Sequence, residues 1–337
     1  MNGLTLSLLA ALLATNPPLA VSNLVAQQTG VHLNITNPND PVEREYSKLI
    51  EDDDAALAEA ERWMHENDAL AAKGGGVPQT TLGLRIEQRL KPIRAEYEDF
   101  LRRHPNHVKA RLAFGSFLEE THDEEGAVAQ WEKARELDPK DPAAWNNLAN
   151  YYGHRGPVTN AFVYYQKAIE IDSNEPVYLQ NLATTVFLFR KDAEAFYHLG
   201  EQQVFDRALE LYTQALKLKP HSFVLASDLA ETYYGIKPTR FADAFRAWEY
   251  ALKIASNDIE REGARIHLAR FKTMEGKFDD ARRQLNTVTN VLYAELKRRM
   301  LTNIDLREKR AAGTNAPAAP PALPPPAGPR LPAVPSR

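Results

Sequence analysis

The chain contains no cysteine. This absence excludes disulfides, thiolate metal sites, a cysteine nucleophile and a lipid anchor on cysteine, yet it fits any compartment, oxidising ones included. Charge of one sign is also lacking: 41 Lys and Arg stand against 45 Asp and Glu, for a formal net charge of −4. No global field therefore favours nucleic acid or an anionic membrane. Catalytic signatures are missing as well. There is no GxSxG, no GxxxxGK[ST], no GxGxxG and no HExxH, so neither a nucleophile elbow, a phosphate cradle nor a zincin helix is encoded. His104 and His107 have a chelating i, i+3 spacing, but Pro105 breaks the helix that would align them. Asp52-Asp53-Asp54 lacks the alternation and glycine of a calcium loop and reads as a solvated helix face. The other histidines, His154, His198, His221 and His267 among them, share no register and nominate no site.

What is present favours helix: Ala, Leu, Glu, Lys and Arg are abundant. The apolar run Leu4–Ala14 has the length of a signal-peptide core, too short for a bilayer span. Ala20-Val21-Ser22 supplies a small-x-small cleavage pattern, although no Lys or Arg precedes the run. Residues 1–22 are therefore expected to be an export signal and 23–39 a linker, with an Asn34-Ile35-Thr36 glycosylation sequon. Export to the periplasm or exterior follows, with a cytoplasmic protein bearing an apolar N-terminal helix as the alternative.

Residues 40–105 read as an N-terminal helical pair. Asp40-Pro41 is a helix start, and Val42, Tyr46, Leu49, Leu57, Ala60 and Met64 follow at helical spacing until Gly74-Gly75-Gly76-Val77-Pro78. A second helix is expected over 84–103, with Pro92 either kinking it or marking its start. From residue 106 to 288 the chain repeats. The segment at Val108 carries Gly115 and Leu118, then Ala127, Trp131, Ala134 and Pro139. The next, at Pro142, carries Trp145, Leu148, Ala149 and Tyr152, then Ala161, Tyr165 and Ala168. A third starts at Pro176 and ends with Ala208, Tyr212, Ala215 and Pro220, its second half delayed by "FRKDAEAFYHLGE", expected to extend the first helix or its turn. A fourth, at Phe223, has Ala230 and Tyr233, then Ala244, Trp248 and Ala251. A fifth, near Glu262, has Leu268, Ala269, Ala281 and Leu285. Small residues let helices approach, and the aromatics fill the gaps between pairs.

These residues resemble the tetratricopeptide repeat, a 34-residue helix-turn-helix. The resemblance implies an all-α, right-handed superhelical solenoid of about five units, closed by a helix over 289–310 with a basic stretch from Lys297 to Arg310. Residues 311–337, "AAGTNAPAAPPALPPPAGPRLPAVPSR", form a Pro/Ala-rich tail expected to stay disordered and extended, with PxxP steps at Pro321 to Pro324 and Pro329 to Pro332.

In such repeats the inner groove is lined mainly by the first helix of each pair. Its positions here hold Asn146, Asn147 and Asn150, then Gln180, Asn181 and Thr184, then Ser227, Asp228 and Glu231, flanked by Lys109, Ser116, Glu119 and Arg270. Asn147 and Asn181 share one position a period apart, as do Asn146 and Gln180. Such a ladder resembles the asparagine ladders of tetratricopeptide superhelices that hold peptide backbone, since an amide both donates and accepts. The carboxylate clamp of chaperone-binding relatives needs several basic groove residues, and only Lys109 and Arg270 offer themselves. The expectation is a non-enzymatic scaffold that binds an extended segment of a protein partner, without cofactor, metal, nucleic acid or a membrane span in the mature protein. The alternative is an exported structural or envelope-assembly protein that uses its Pro-rich tail as spacer or anchor.

Overall fold

A computed structural model describes residues 40–313; the expected signal, linker, sequon and the tail from residue 314 lie outside them. Among the described residues there are helices and turns but no strand, as the composition requires. The chain divides between residues 185 and 186 into two compact units, which are described separately.

The first unit begins with α1 (Pro41–Ala71), whose N-cap Asp40 accepts the Val42 N–H at 2.9 Å. It pairs with α2 (Gln79–Arg103). The hairpin between them is held by buried Asn67, which accepts the Val77 N–H at 2.7 Å and donates to the Val77 carbonyl at 3.2 Å. Gly76 beside it adopts φ +92°, a conformation that side chains with a Cβ rarely take. Tyr46, Leu49, Ile86, Ile93 and Phe100 form the core of the pair. Next come α3 (Val108–Glu120) with α4 (Glu124–Leu137), and α5 (Pro142–Arg155) with α6 (Val158–Ile171). Gly115 explains its own identity: a Cβ there would lie 2.2 Å from Trp131 Nε1. The buried indole occupies the space that glycine leaves, and its N–H reaches the Leu112 carbonyl at 3.3 Å. The helix α7 (Pro176–Leu188) opens the next pair, and its residues up to 185 belong to this unit.

The second unit contains α8 (Arg190–Tyr197), α9 (Glu201–Leu218), α10 (Phe223–Thr232), α11 (Phe241–Ile254), α12 (Asp258–Glu275) and α13 (Phe278–Asn286). A 3-10 turn (Val291–Tyr293) and α14 (Ala294–Ala311) complete it. Phe205, Trp248, Leu268 and Phe271 are buried at its centre. The last helix is tied down by Ile304 and Leu285 within a second apolar cluster and by Arg282, which bridges Asp305 at 2.8 Å and also pairs with Glu308.

Four expectations are corrected. α2 begins at Gln79 rather than residue 84, and Pro92 sits inside it on an exposed face. The stretch 189–201 does not extend its neighbour: it forms the separate helix α8, ended by His198 in the left-handed region at φ +54°. The closing helix starts at Ala294 rather than 289, because the Glu262 carboxylate takes the N–H groups of Thr289 (3.0 Å) and Asn290 (2.7 Å) and holds them outside the helix. Asp53 is no wet residue. It is 8 % exposed and accepts the Tyr97 hydroxyl at 2.6 Å.

Candidate functional site

The stretch "WNNLANYY" forms most of α5. Asp141 caps that helix by accepting the Ala143 N–H at 2.8 Å, and Pro142 takes the first position, where its missing donor costs nothing. Three asparagines inside it cost about 0.5 kcal/mol each in propensity, so packing must hold them. It does: Asn146 is 0 % and Asn147 1 % exposed. Asn181 on α7 donates to Asn146 Oδ1 at 3.0 Å. One amide bond thus joins the two helices, and it runs one position away from the Asn147–Asn181 pairing expected from the 34-residue period. A helical side chain leans toward its own N-terminus, so residue 181 reaches the fifth position of the preceding repeat, not the sixth. Asn150 accepts the Tyr165 hydroxyl at 2.6 Å, and the Thr185 hydroxyl donates to the Asn181 carbonyl at 2.8 Å. Burial pushes the Tyr165 phenol well up, so it stays a donor at all ordinary pH. Asn147 is the exception, since its Nδ2 is buried with no hydrogen-bond partner.

Gln180, Asn181 and Thr184 are half-buried. The hydroxyls of Thr184 and Ser116 donate to carbonyls of their own helices, Gln180 at 2.9 Å and Leu112 at 3.3 Å. In the second unit Ser227 does the same toward Val224 at 2.9 Å. There, Asp228 and Glu231 lie one turn apart on α10. Burial pushes the Glu231 carboxyl up to about 8, the Asp228 charge adds to this, and Arg270 opposes it.

Sequence reasoning missed several desolvated groups. Burial pushes Asp53 up to about 7, against the Tyr97 hydrogen bond, which lowers it. Glu120 is pushed up to about 8 by burial, with Asp53 and Glu119 adding repulsion. The signal was available for Asp53, because Leu49, Asp53, Ala56 and Ala60 recur at steps of four, three and four along one stripe. His267 is 3 % exposed, stacks on Trp248 at 4.0 Å between ring centroids, and meets the Tyr234 hydroxyl at 3.0 Å. Burial holds it well below its ordinary range, hence neutral. His104 and His107 end one helix and start the next: the His107 Nδ1 accepts the Ala110 N–H at 3.0 Å. Among the described residues no group of three His, Asp or Glu could hold a metal ion, and no helix is long and apolar enough to cross a membrane.

Residues 122–176 match the tetratricopeptide repeat family. No curated protein matches the sequence. Among solved structures the chain is similar to PilW, a type IV pilus biogenesis factor, at 16 % identity over 67 % of this chain and 96 % of that one, with a TM-score of 0.49. It is also similar to yeast Tom70, at 14 % identity over 92 % and 73 % of the two chains (TM-score 0.47). PilF of Pseudomonas aeruginosa shows 19 % identity over 61 % and 92 % (TM-score 0.44). That family match lies across α4 to α6, and hairpins of the same small-aromatic-small packing stand before and after it, so residues 122–176 carry the tetratricopeptide repeat within an all-helical chain.

Proposed function

We propose that the protein is a non-enzymatic adaptor that holds an extended segment of a partner protein against the polar faces of its first helices, with α5 and α7 as the main contact. The observation that carries this reading is the polar face around the bonded pair Asn146 and Asn181, where the side chains of Asn150, Gln180 and Thr184 are only half-buried and within reach of a bound chain. Recognition through amides reads backbone rather than side chains, so the site tolerates many sequences. In the second unit, Asp228 and Glu231 favour a segment that brings a basic residue.

Peptides selected from a random display library against the full-length protein test this. Gln180→Ala should weaken the selected peptides by about 5- to 20-fold, the worth of one to two hydrogen bonds. N-methylation of the peptide backbone should abolish binding, whereas scrambling the side chains should change it little. Unchanged affinity in Gln180→Ala, with the helical circular dichroism intact, would sink the reading.

A further inference from the structure

Val291 and Leu292, in the 3-10 turn before α14, are 82 % and 57 % exposed, the barest large apolar side chains among the described residues of the second unit. Their backbone is nevertheless fixed. The Leu292 N–H donates to the Asn290 side chain at 3.0 Å, the Asn290 N–H to Glu262 at 2.7 Å, and the buried Tyr293 hydroxyl to the Ile259 carbonyl at 3.0 Å. The turn is held on both sides, and its two apolar side chains stand out as a rigid knob, the kind of feature that marks a contact surface. The same unit carries a hole of matching character. Between α9, α10 and α11 lies an open hollow of about 250 Å³ walled by Leu216, Ala226, Leu229, Tyr233, Ala247 and Tyr250. These residues pack on the core by their inner sides and leave the hollow on their outer ones. A cavity of roughly 150 Å³ holds a benzene ring, so this one has room for the knob. It is smaller than the roughly 300–1,000 Å³ of small-molecule sites, which favours a protein side chain over a free ligand.

We propose that the knob of one copy of this protein seats in the hole of a second copy, with α14 of the first lying antiparallel on α11 of the second. Charge complementarity identifies the occupant. Beside the knob, Arg298 holds Glu295 through two bonds of 2.9 and 2.7 Å; on the rim of the hole, Arg246 pairs with Asp243. Both pairs are exposed, and in each the acid precedes the base by three residues, about 4.5 Å along the helix axis. Antiparallel docking therefore sets Glu295 opposite the second copy's Arg246 and Arg298 opposite its Asp243, so every charge gains another partner of opposite sign. A parallel docking would oppose like charges. The same register brings Val291 and Leu292, which precede Glu295, level with the residues that follow Arg246, where Ala247 and Tyr250 wall the hole. One alignment thus satisfies the charges and fills the hollow. The contact is small, so association in the micromolar range is expected. It involves only the second unit and does not rest on the amide face.

Sedimentation velocity of the full-length protein, from micromolar to submillimolar concentration, tests this. The average sedimentation coefficient should rise with concentration. Leu292→Glu spoils the knob and Thr213→Trp plugs the mouth of the hole; both positions are exposed, so the helical circular dichroism should be unchanged. Each variant alone should self-associate at least about tenfold more weakly. Mixed in equal amounts they should form a dimer and nothing larger, because one supplies an intact hole and the other an intact knob. Reversing the rim pair, Asp243→Arg with Arg246→Asp, should weaken association about 3- to 10-fold, and reversing Glu295 and Arg298 in the same chain should restore it. The proposal is overturned if the protein stays monomeric throughout, if neither single variant alters self-association, or if the mixture remains monomeric. It is overturned equally if a monomeric protein cosediments with phosphatidylglycerol vesicles and Leu292→Glu abolishes this, since the knob would then serve a membrane surface.

Discussion

Adding a single methyl group at Gly115 should destabilise the first unit by more than any helix-propensity gain can offset. A Cβ at this position would lie 2.2 Å from Trp131 Nε1, 2.5 Å from Cδ1 and 2.8 Å from Cε2. All three atoms belong to a rigid ring that is 1 % exposed, so no flexible chain end can swing aside. Forcing the indole away costs about 1–3 kcal/mol in overpacking, and its bond to the Leu112 carbonyl, worth about 1 kcal/mol, is strained or lost. Against this, Ala replaces Gly in a helix with a gain of about 1 kcal/mol. The net expectation for Gly115→Ala is a loss of about 1–3 kcal/mol, or roughly 2–12 °C in Tm for a unit of this size. Gly153 on α5 is the matched control. A Cβ there meets nothing nearer than the Ala161 Cβ at 3.9 Å, so Gly153→Ala should be neutral or stabilising by about 0.5–1 kcal/mol. Urea unfolding followed by tryptophan emission and circular dichroism reads both. Equal Tm values for the two variants, or a stabilised Gly115→Ala, would refute the claim that the small residue exists to seat the indole.

Buried ionisable groups should make the stability of each unit depend on pH. Asp53 and Glu120 have folded-state values raised to about 7 and about 8, above their unfolded values near 4, so the folded chain binds more protons in that window. Stability of residues 40–185 should be full below about pH 4 for these two groups and fall as pH rises toward 8, by a few kcal/mol at most. Asp53→Asn together with Glu120→Gln should flatten the Tm-versus-pH curve over that range. In the second unit, buried His267 is held well below its unfolded value of about 6.5. Its contribution is complete above about pH 6.5 and is lost on acidification, and His267→Phe, which keeps the stack on Trp248, should remove that acid sensitivity while losing the Tyr234 bond. Asn181→Ala deletes the donor to Asn146 Oδ1, whose side chain is 0 % exposed. A cost of about 1–2 kcal/mol in urea unfolding is expected, and no change would show that the pair is unimportant to the hairpin stack.

Local chemistry determined much of this protein before any packing was known. The helix start at Asp40 is legible because an N-cap acts on N–H groups two or three residues away. The complement of Gly115 and Trp131 is legible because a repeat makes the same demand on each hairpin. The alternation of small and aromatic residues therefore identified the hairpins and their order from sequence alone. Tertiary structure decided the rest, because desolvation depends on residues far away in the chain. Asp53 became a buried acid only when Tyr97, 44 residues later, closed over it. Asn146 and Asn147 fall on the groove positions that the repeat assigns, yet α7 shields them and supplies Asn181 one register away from the expected rung. The direction a helical side chain leans, rather than the period of the sequence, set that pairing.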